Sequence, residues 1–287
     1  MITITDPHLH LFNLEQGEYG WLQPNQGPDW PDKSMLLSDC TESDLRLSGP
    51  LRLVGYTHIE AGFSNDQSWL EIDWVESQAN LPIRSIGCVD LCDSQVAFND
   101  SLSRLMQRSS MVGVRHILDD QLDSILSHPN TLSNLKTLES HDLIFELQFD
   151  ATDEEGVDKV VALLEQFPSL SVVLNHQGFG SMALPDKRKL HWVSGLTRLA
   201  ECPNVYVKCS GFEMLDRLFT AKTVQQTVEQ LVRLFGQSRV MMASNFPLVT
   251  LSKSYDAYWS LVIQCLRQAG LEVERLVDLN AREIYRF

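Results

Sequence analysis

Short runs rich in β-branched residues recur along the chain, and each is followed by a stretch whose apolar positions fall at helical spacing. The pattern predicts eight strands: Ile2–Leu11, Leu53–Glu60, Ile83–Leu91, Val112–Leu118, Leu143–Phe149, Ser171–His176, Val205–Ser210 and Arg239–Ser244. They recur about every 34 residues, room for a strand, a helix and two short loops. Val157, Val160, Val161, Leu164 and Phe167 mark one apolar helical face. Val224, Val228, Leu231, Val232 and Phe235 mark another, with Gly236 as its stop. Trp69, Ile72, Asp73 and Glu76 open a further helix; Tyr258–Leu266 and Val273–Tyr285 supply two more. Eight alternations predict an α/β fold with a parallel sheet, and the number eight favours closure into a single (β/α)8 TIM barrel. One domain over residues 1–287 is expected, without repeats or linkers.

One segment breaks the rhythm. Phe12–Pro50, roughly 40 residues after the first strand, is rich in Pro, Gly, Asn and Asp and carries Trp21 and Trp30. After a barrel strand such a loop sits over the active face, so it is expected to be a substrate lid or a partly helical insertion.

Polar residues collect at the strands' C-terminal ends, where this fold builds its sites. His8 and His10 are two apart and point to one side of the ribbon. His58 and Glu60 share a parity, as do Glu146 with Gln148 and Lys208 with Ser210. Asp90, His176 and Asn245 end strands three, six and eight. Arg115 and His116 are neighbours, so only one can face inward, and His116 is expected outside. Burying charge without a partner costs several kcal/mol, so this concentration points to a site. Structural readings stand beside it: an Arg115–Glu146 ion pair, Lys208 as partner of Asp90, and His58 as a core histidine. His128, His141 and His191 receive no role.

Composition narrows the field. Twenty-three basic against 38 acidic side chains give a net charge of −15, which argues against a nucleic-acid surface. No apolar run approaches the ~20 residues of a membrane helix. Met1-Ile2-Thr3-Ile4-Thr5-Asp6 has neither a basic nor an apolar leader region, so a cytoplasmic protein is expected. Six cysteines are too sparse for a disulfide scaffold and read as reduced thiols. Gly178-Phe-Gly180-Ser-Met-Ala183 matches a loose dinucleotide fingerprint, but Pro185 follows where a helix should open, so no nucleotide site is assigned.

His8-x-His10 is the sharpest local signal: two imidazoles on one strand face, joined by a third, make a common hydrolytic metal site. Asp6-Pro-His-Leu-His-Leu-Phe resembles the opening motif of the amidohydrolase superfamily, in the branch called amidohydrolase family 2. Asn175-His176-Gln-Gly is similar to that branch's DH-x-G element, and Val207-Lys208-Cys-Ser210-Gly211 to its VKLSG strand. Ala243-Ser244-Asn245-Phe246-Pro247 resembles its GSDWP element. Thr57-His58-Ile-Glu60-Ala61 and Gly113-Val-Arg115-His116, with Trp69 and Trp74, fit a sub-branch of sugar-acid and aromatic lactonases.

The resemblance implies a barrel that hydrolyses a lactone, amide or related ester. It implies that His8, His10, His176 and a strand-eight aspartate bind a divalent cation, usually zinc, and that the aspartate also takes a proton from the attacking water. Here that position is Asn245, which adds no negative charge and is no base at neutral pH. Some relatives are lactonases without tightly bound metal. His176, Asn245, His8 and His10 are therefore the expected catalytic residues, with Glu60, Asp90 and Glu146 as further base candidates. Arg115, His58, Glu60, Gln148 and Lys208 are the expected substrate contacts. The expected activity is opening of a small anionic or sugar-acid lactone, with a small molecule as partner and neither nucleic acid nor membrane. A metal-dependent aromatic-acid decarboxylase and a non-catalytic ligand-binding barrel are the alternatives.

Overall fold

The computed structural model describes residues 1–23, 25–64 and 66–287. All eight predicted strands form: β1 (Ile2–Leu9), β2 (Leu51–Ile59), β3 (Ile83–Cys88), β4 (Met111–Ile117), β5 (Ile144–Gln148), β6 (Val172–Leu174), β7 (Val205–Cys209) and β8 (Val240–Met242). They pair in chain order, every neighbour parallel. The sheet closes just beyond β8: the Asn245 N–H donates to the His8 carbonyl at 2.9 Å, and the His10 N–H to the Phe246 carbonyl at 2.7 Å. The protein is a (β/α)8 barrel.

β6 and β8 are shorter than the pattern predicts, because the chain leaves the sheet where the polar residues begin. After Leu174 four successive residues turn left-handed: His176 (φ 50°), Gln177 (42°), Gly178 (63°) and Phe179 (52°). Asn245 follows β8 with φ 59°. Non-glycine residues held there cost of order 1–3 kcal/mol each, and such positions cluster at functional sites.

The helices lie where their apolar stripes put them. Glu154–Leu164 buries Val157, Val160 and Leu164; Ala221–Phe235 buries Val224, Val228, Leu231 and Phe235 and stops at Gly236. Each such side chain contributes about 1.5–3 kcal/mol. The C-terminal helical run, Val273–Tyr285, sends Ala281 and Tyr285 into a cluster with Ile86, Ile144, Val173 and Met241. By strand alternation these are inward-facing residues, so the run stoppers the barrel below the polar layer. No helix among the described residues is long and apolar enough to cross a membrane.

The segment between β1 and β2 is a partly helical wall over the barrel mouth. Short turns at Gly20–Leu22 and Lys33–Leu36 interrupt it, and Phe12 pairs back to Cys40. Trp21 Nε1–H donates to the Ala61 carbonyl at 2.8 Å. Arg217, beyond β7, grips Asp32 through two bonds of 2.7 and 3.0 Å and lies 5.1 Å over the Trp30 ring.

Candidate active site

At the C-terminal mouth of the barrel lies a pocket of about 560 Å³. Its floor and sides carry His10, Glu60, Arg115, Gln148, His176 and Asn245. Trp21 and Trp30 from the long segment, with Phe179, Met214 and Leu248, make it amphipathic. Six strands thus deliver polar groups to one opening.

The three imidazoles predicted to converge do so. The His8 ring centre lies 5.1 Å from that of His10 and 4.5 Å from that of His176. Burial, aided by the nearby charges of Arg115 and Lys208, holds all three well below the ordinary histidine range, so each is a neutral imidazole. Their tautomers differ. His10 Nδ1–H donates to the Ile59 carbonyl at 2.8 Å, which leaves Nε2 a lone pair. His176 Nδ1 sits 2.9 Å from Ser210 Oγ, so donation there leaves its Nε2 free. His8 Nδ1 instead faces the Lys208 ammonium at 3.1 Å and must accept, which puts the His8 proton on Nε2. That Nε2 is buried without a partner.

This arrangement bears on the metal expectation for His8, His10 and His176. A ligating histidine donates its second nitrogen to a carbonyl or carboxylate, as His10 does. His8 has an ammonium there and carries its proton on the nitrogen a cation would need. Asn245 supplies no charge where the resemblance implies a carboxylate. Among the described residues, no three His, Cys, Asp or Glu side chains are arranged to hold a metal ion. The rings meet, and with Lys208 on His8 and an amide at position 245 they offer two free imidazole nitrogens, from His10 and His176, and no carboxylate.

Two expected substrate contacts lie off the pocket wall. His58 is buried; its Nε2 lies 3.0 Å from Glu71 Oε1, and its Nδ1 accepts from the Leu11 N–H at 3.2 Å. That is the core-histidine reading. Lys208 is fully buried beneath the imidazoles, 2.8 and 2.7 Å from the two Glu146 oxygens. Its structural partner is Glu146, not Asp90. Tyr285 O–H donates to the same carboxylate at 2.5 Å, so Glu146 is committed to a buried network rather than free as a base. Burial pulls the Lys208 ammonium down to about 8. Asp90 lies off this pocket, 3.8 Å from the outward-facing His116.

Arg115 does reach the pocket, held differently than the sequence suggested. Its Nε–H donates to Glu60 Oε1 at 2.6 Å, one Nη2–H to the Glu60 carbonyl at 2.8 Å, and one Nη1–H to Gln148 Oε1 at 3.2 Å. Its partner is therefore Glu60, although Glu146 stands beside it in strand register. Two of five guanidinium N–H groups remain for a guest. Asp119, a pocket residue the sequence reading missed, lies 3.4 Å from Gln148 Nε2, and burial raises its carboxyl above the usual range.

Two further acids surround the imidazoles. Asp6 accepts from Ser244 Oγ–H at 2.5 Å, Tyr255 O–H at 3.1 Å and the backbone of Ser244 and His8, stitching β1 to the turn after β8. Glu213, two residues past Gly211, accepts from Asn245 Nδ2–H at 2.6 Å. Nothing in the sequence marked Glu213 out from an ordinary helical acid. Gly211 has φ 69°, and a Cβ there would stand 2.8 Å from His176 Nδ1, so glycine is what lets this turn approach the imidazole.

Comparison with known proteins places the chain among relatives. The pattern of the family described as Amidohydrolase matches residues 5–287. An uncharacterised protein of Sinorhizobium fredii is 29% identical over 278 residues, 90% of each chain. L-Fucono-1,5-lactonase of Burkholderia multivorans is 22% identical over 269 residues, 90% of this chain and 86% of that one. A Burkholderia multivorans amidohydrolase solved with bound zinc superposes with a TM-score of 0.80 over 99% of both chains at 21% identity, a likeness of fold. This chain belongs to the amidohydrolase family.

Proposed function

We propose that this protein is a lactonase that opens a small, uncharged, hydroxyl-rich lactone by water attack. One observation carries the reading: the pocket's single guanidinium is already neutralised by Glu60, with a second carboxyl, Asp119, beside it. A dicarboxylate guest would meet no spare positive charge. A polyhydroxylated ring meets carboxyl and amide acceptors from Glu60, Gln148 and Asp119, two spare Arg115 donors, and the faces of Trp21 and Trp30. The expectation of an anionic substrate narrows accordingly to a sugar-acid lactone. A sugar-acid lactonase among the relatives supports the same class.

In the mechanism, His176 Nε2 takes one proton of a water whose second hydrogen is accepted by Asn245 Oδ1. The water oxygen bonds to the lactone carbonyl carbon, and Arg115 N–H groups stabilise the charge that grows on the carbonyl oxygen. The tetrahedral intermediate then breaks its ring C–O bond. The proton on His176 passes to the departing oxygen, leaving a hydroxy acid whose ionisation releases one proton to solution. A depressed pKa makes His176 a weak base in the resting site. Negative charge developing beside it favours the imidazolium as the reaction advances. No step is assigned to a metal.

A lactone panel followed with a pH indicator tests this. Aldonolactones should be opened in preference to charged pyrones and to amides, and His176→Ala should lower the rate by 10²–10⁴-fold. Tight binding without ring opening would support the non-catalytic barrel, and release of carbon dioxide from hydroxybenzoates the decarboxylase.

A further inference from the structure

Asn245 stands where the resemblance implies a carboxylate, and an amide differs from a carboxylate in having two unlike ends. Which end faces the water decides whether the side chain accepts or donates. Its Nδ2 is engaged by Glu213 Oε1 at 2.6 Å, and its Oδ1 is buried with no protein donor. The backbone at Asn245 is pinned in the left-handed region by the N–H bond to His8, so the amide can reorient only about its own side-chain torsions.

Glu213 itself is fully buried on the short helix Phe212–Leu215, and among the described residues its carboxyl has Asn245 as its hydrogen-bond partner. Arg217 reaches the Glu213 backbone carbonyl, not the carboxyl. Oε2 has no partner. Burying a carboxyl with one oxygen unpartnered costs stability, so packing does not account for it. Burial accordingly pushes the group up to about 7.

We propose that Glu213 is a positioning residue: by accepting from Asn245 Nδ2 it holds the amide oxygen as the acceptor that orients the attacking water. This rests on the lactonase reading above. The pair divides between two residues what one aspartate would combine: Asn245 meets the water, and Glu213 fixes which end it offers.

The test uses the fact that a carboxylate has two equivalent oxygens and needs no such fixing. E213L should lower kcat for lactone opening on the order of 100-fold, as misorientation does, while KM changes less than about threefold because Glu213 touches no substrate. Adding N245D to E213L should restore at least tenfold in kcat, whereas N245D beside an intact Glu213 should give no such gain. Unchanged kcat in E213L, or no rescue in the folded double variant, overturns the proposal. A second readout is independent of turnover. With side-chain ¹⁵N-labelled asparagine, the Asn245 amide protons, identified by their loss in N245A, should resonate downfield and move upfield in E213L. An amide signal that ignores E213L overturns the pairing. A wild type that opens no lactone but shows the shift overturns the water-orienting role and the lactonase reading, leaving only the pairing.

Discussion

Lys208 Nζ lies 3.1 Å from His8 Nδ1 while both oxygens of Glu146 hold the same ammonium within 2.8 Å. The contact fixes the His8 proton on Nε2 and so sets what the imidazole cluster can bind. Replacing the ammonium should release His8 to carry its proton on Nδ1. K208M alone would strand a buried carboxylate at a cost of about 3–5 kcal/mol, so K208M/E146Q is the useful variant. It should bind zinc at least tenfold more tightly than the wild type in competition with a chromophoric chelator, the usual size of an outer-ligand effect. Equal affinities would show that Lys208 does not set the tautomer.

Glu213 predicts a pH-dependent stability. Its carboxyl titrates at about 7 when folded against 4.5 unfolded, so between these values the native state binds the extra proton. Stability from this group is then full below about 4.5 and is lost as pH rises toward 7, by roughly 3 kcal/mol in all. E213Q removes the titration. Urea denaturation should find E213Q gaining on the wild type by up to that amount between pH 5 and pH 8. A difference that stays flat with pH would contradict a buried, proton-binding carboxyl.

Glu60 predicts a switch in substrate charge. E60Q should leave Arg115 its Gln148 and backbone bonds but restore a net positive charge to the pocket. Inhibition by a small dicarboxylate such as malonate should strengthen about tenfold, and KM for a neutral lactone should rise. Equal malonate inhibition in both proteins would mean that Glu60 does not neutralise the site.

Much of the fold and part of the site could be read from the residues. The two-residue spacing of His8 and His10, and the place of His176 at a strand end, followed from alternation and barrel topology alone. Partnership did not. Arg115 and Glu146 are neighbours in register, yet Arg115 pairs with Glu60 across the mouth and Glu146 with Lys208 below it. His58 and Glu60 share a parity, but β2 ends at Ile59 and Glu60 turns inward beyond it, while His58 faces the helix Trp69–Gln78. Alternation holds only while the strand lasts. Glu213 lay in a turn whose direction depends on Gly211 passing close to His176, a tertiary fact with no local signature.

The clamp of Arg217 on Asp32 and Trp30 predicts a binding effect without a fold effect. Its ion pair is about a quarter exposed on each side, so R217A should cost no more than about 1 kcal/mol in global stability. KM for the lactone should nevertheless rise severalfold, because Trp30 would lose the cation that holds its ring over the pocket. Steady-state kinetics beside thermal denaturation separates the two. An unchanged KM would show that Trp30 is held by its other contacts.

The same Arg217 also touches the carbonyl of Glu213, so one side chain links the roof over the guest to the turn behind Asn245. Roof and turn therefore share one anchor, and a change at position 217 reaches both.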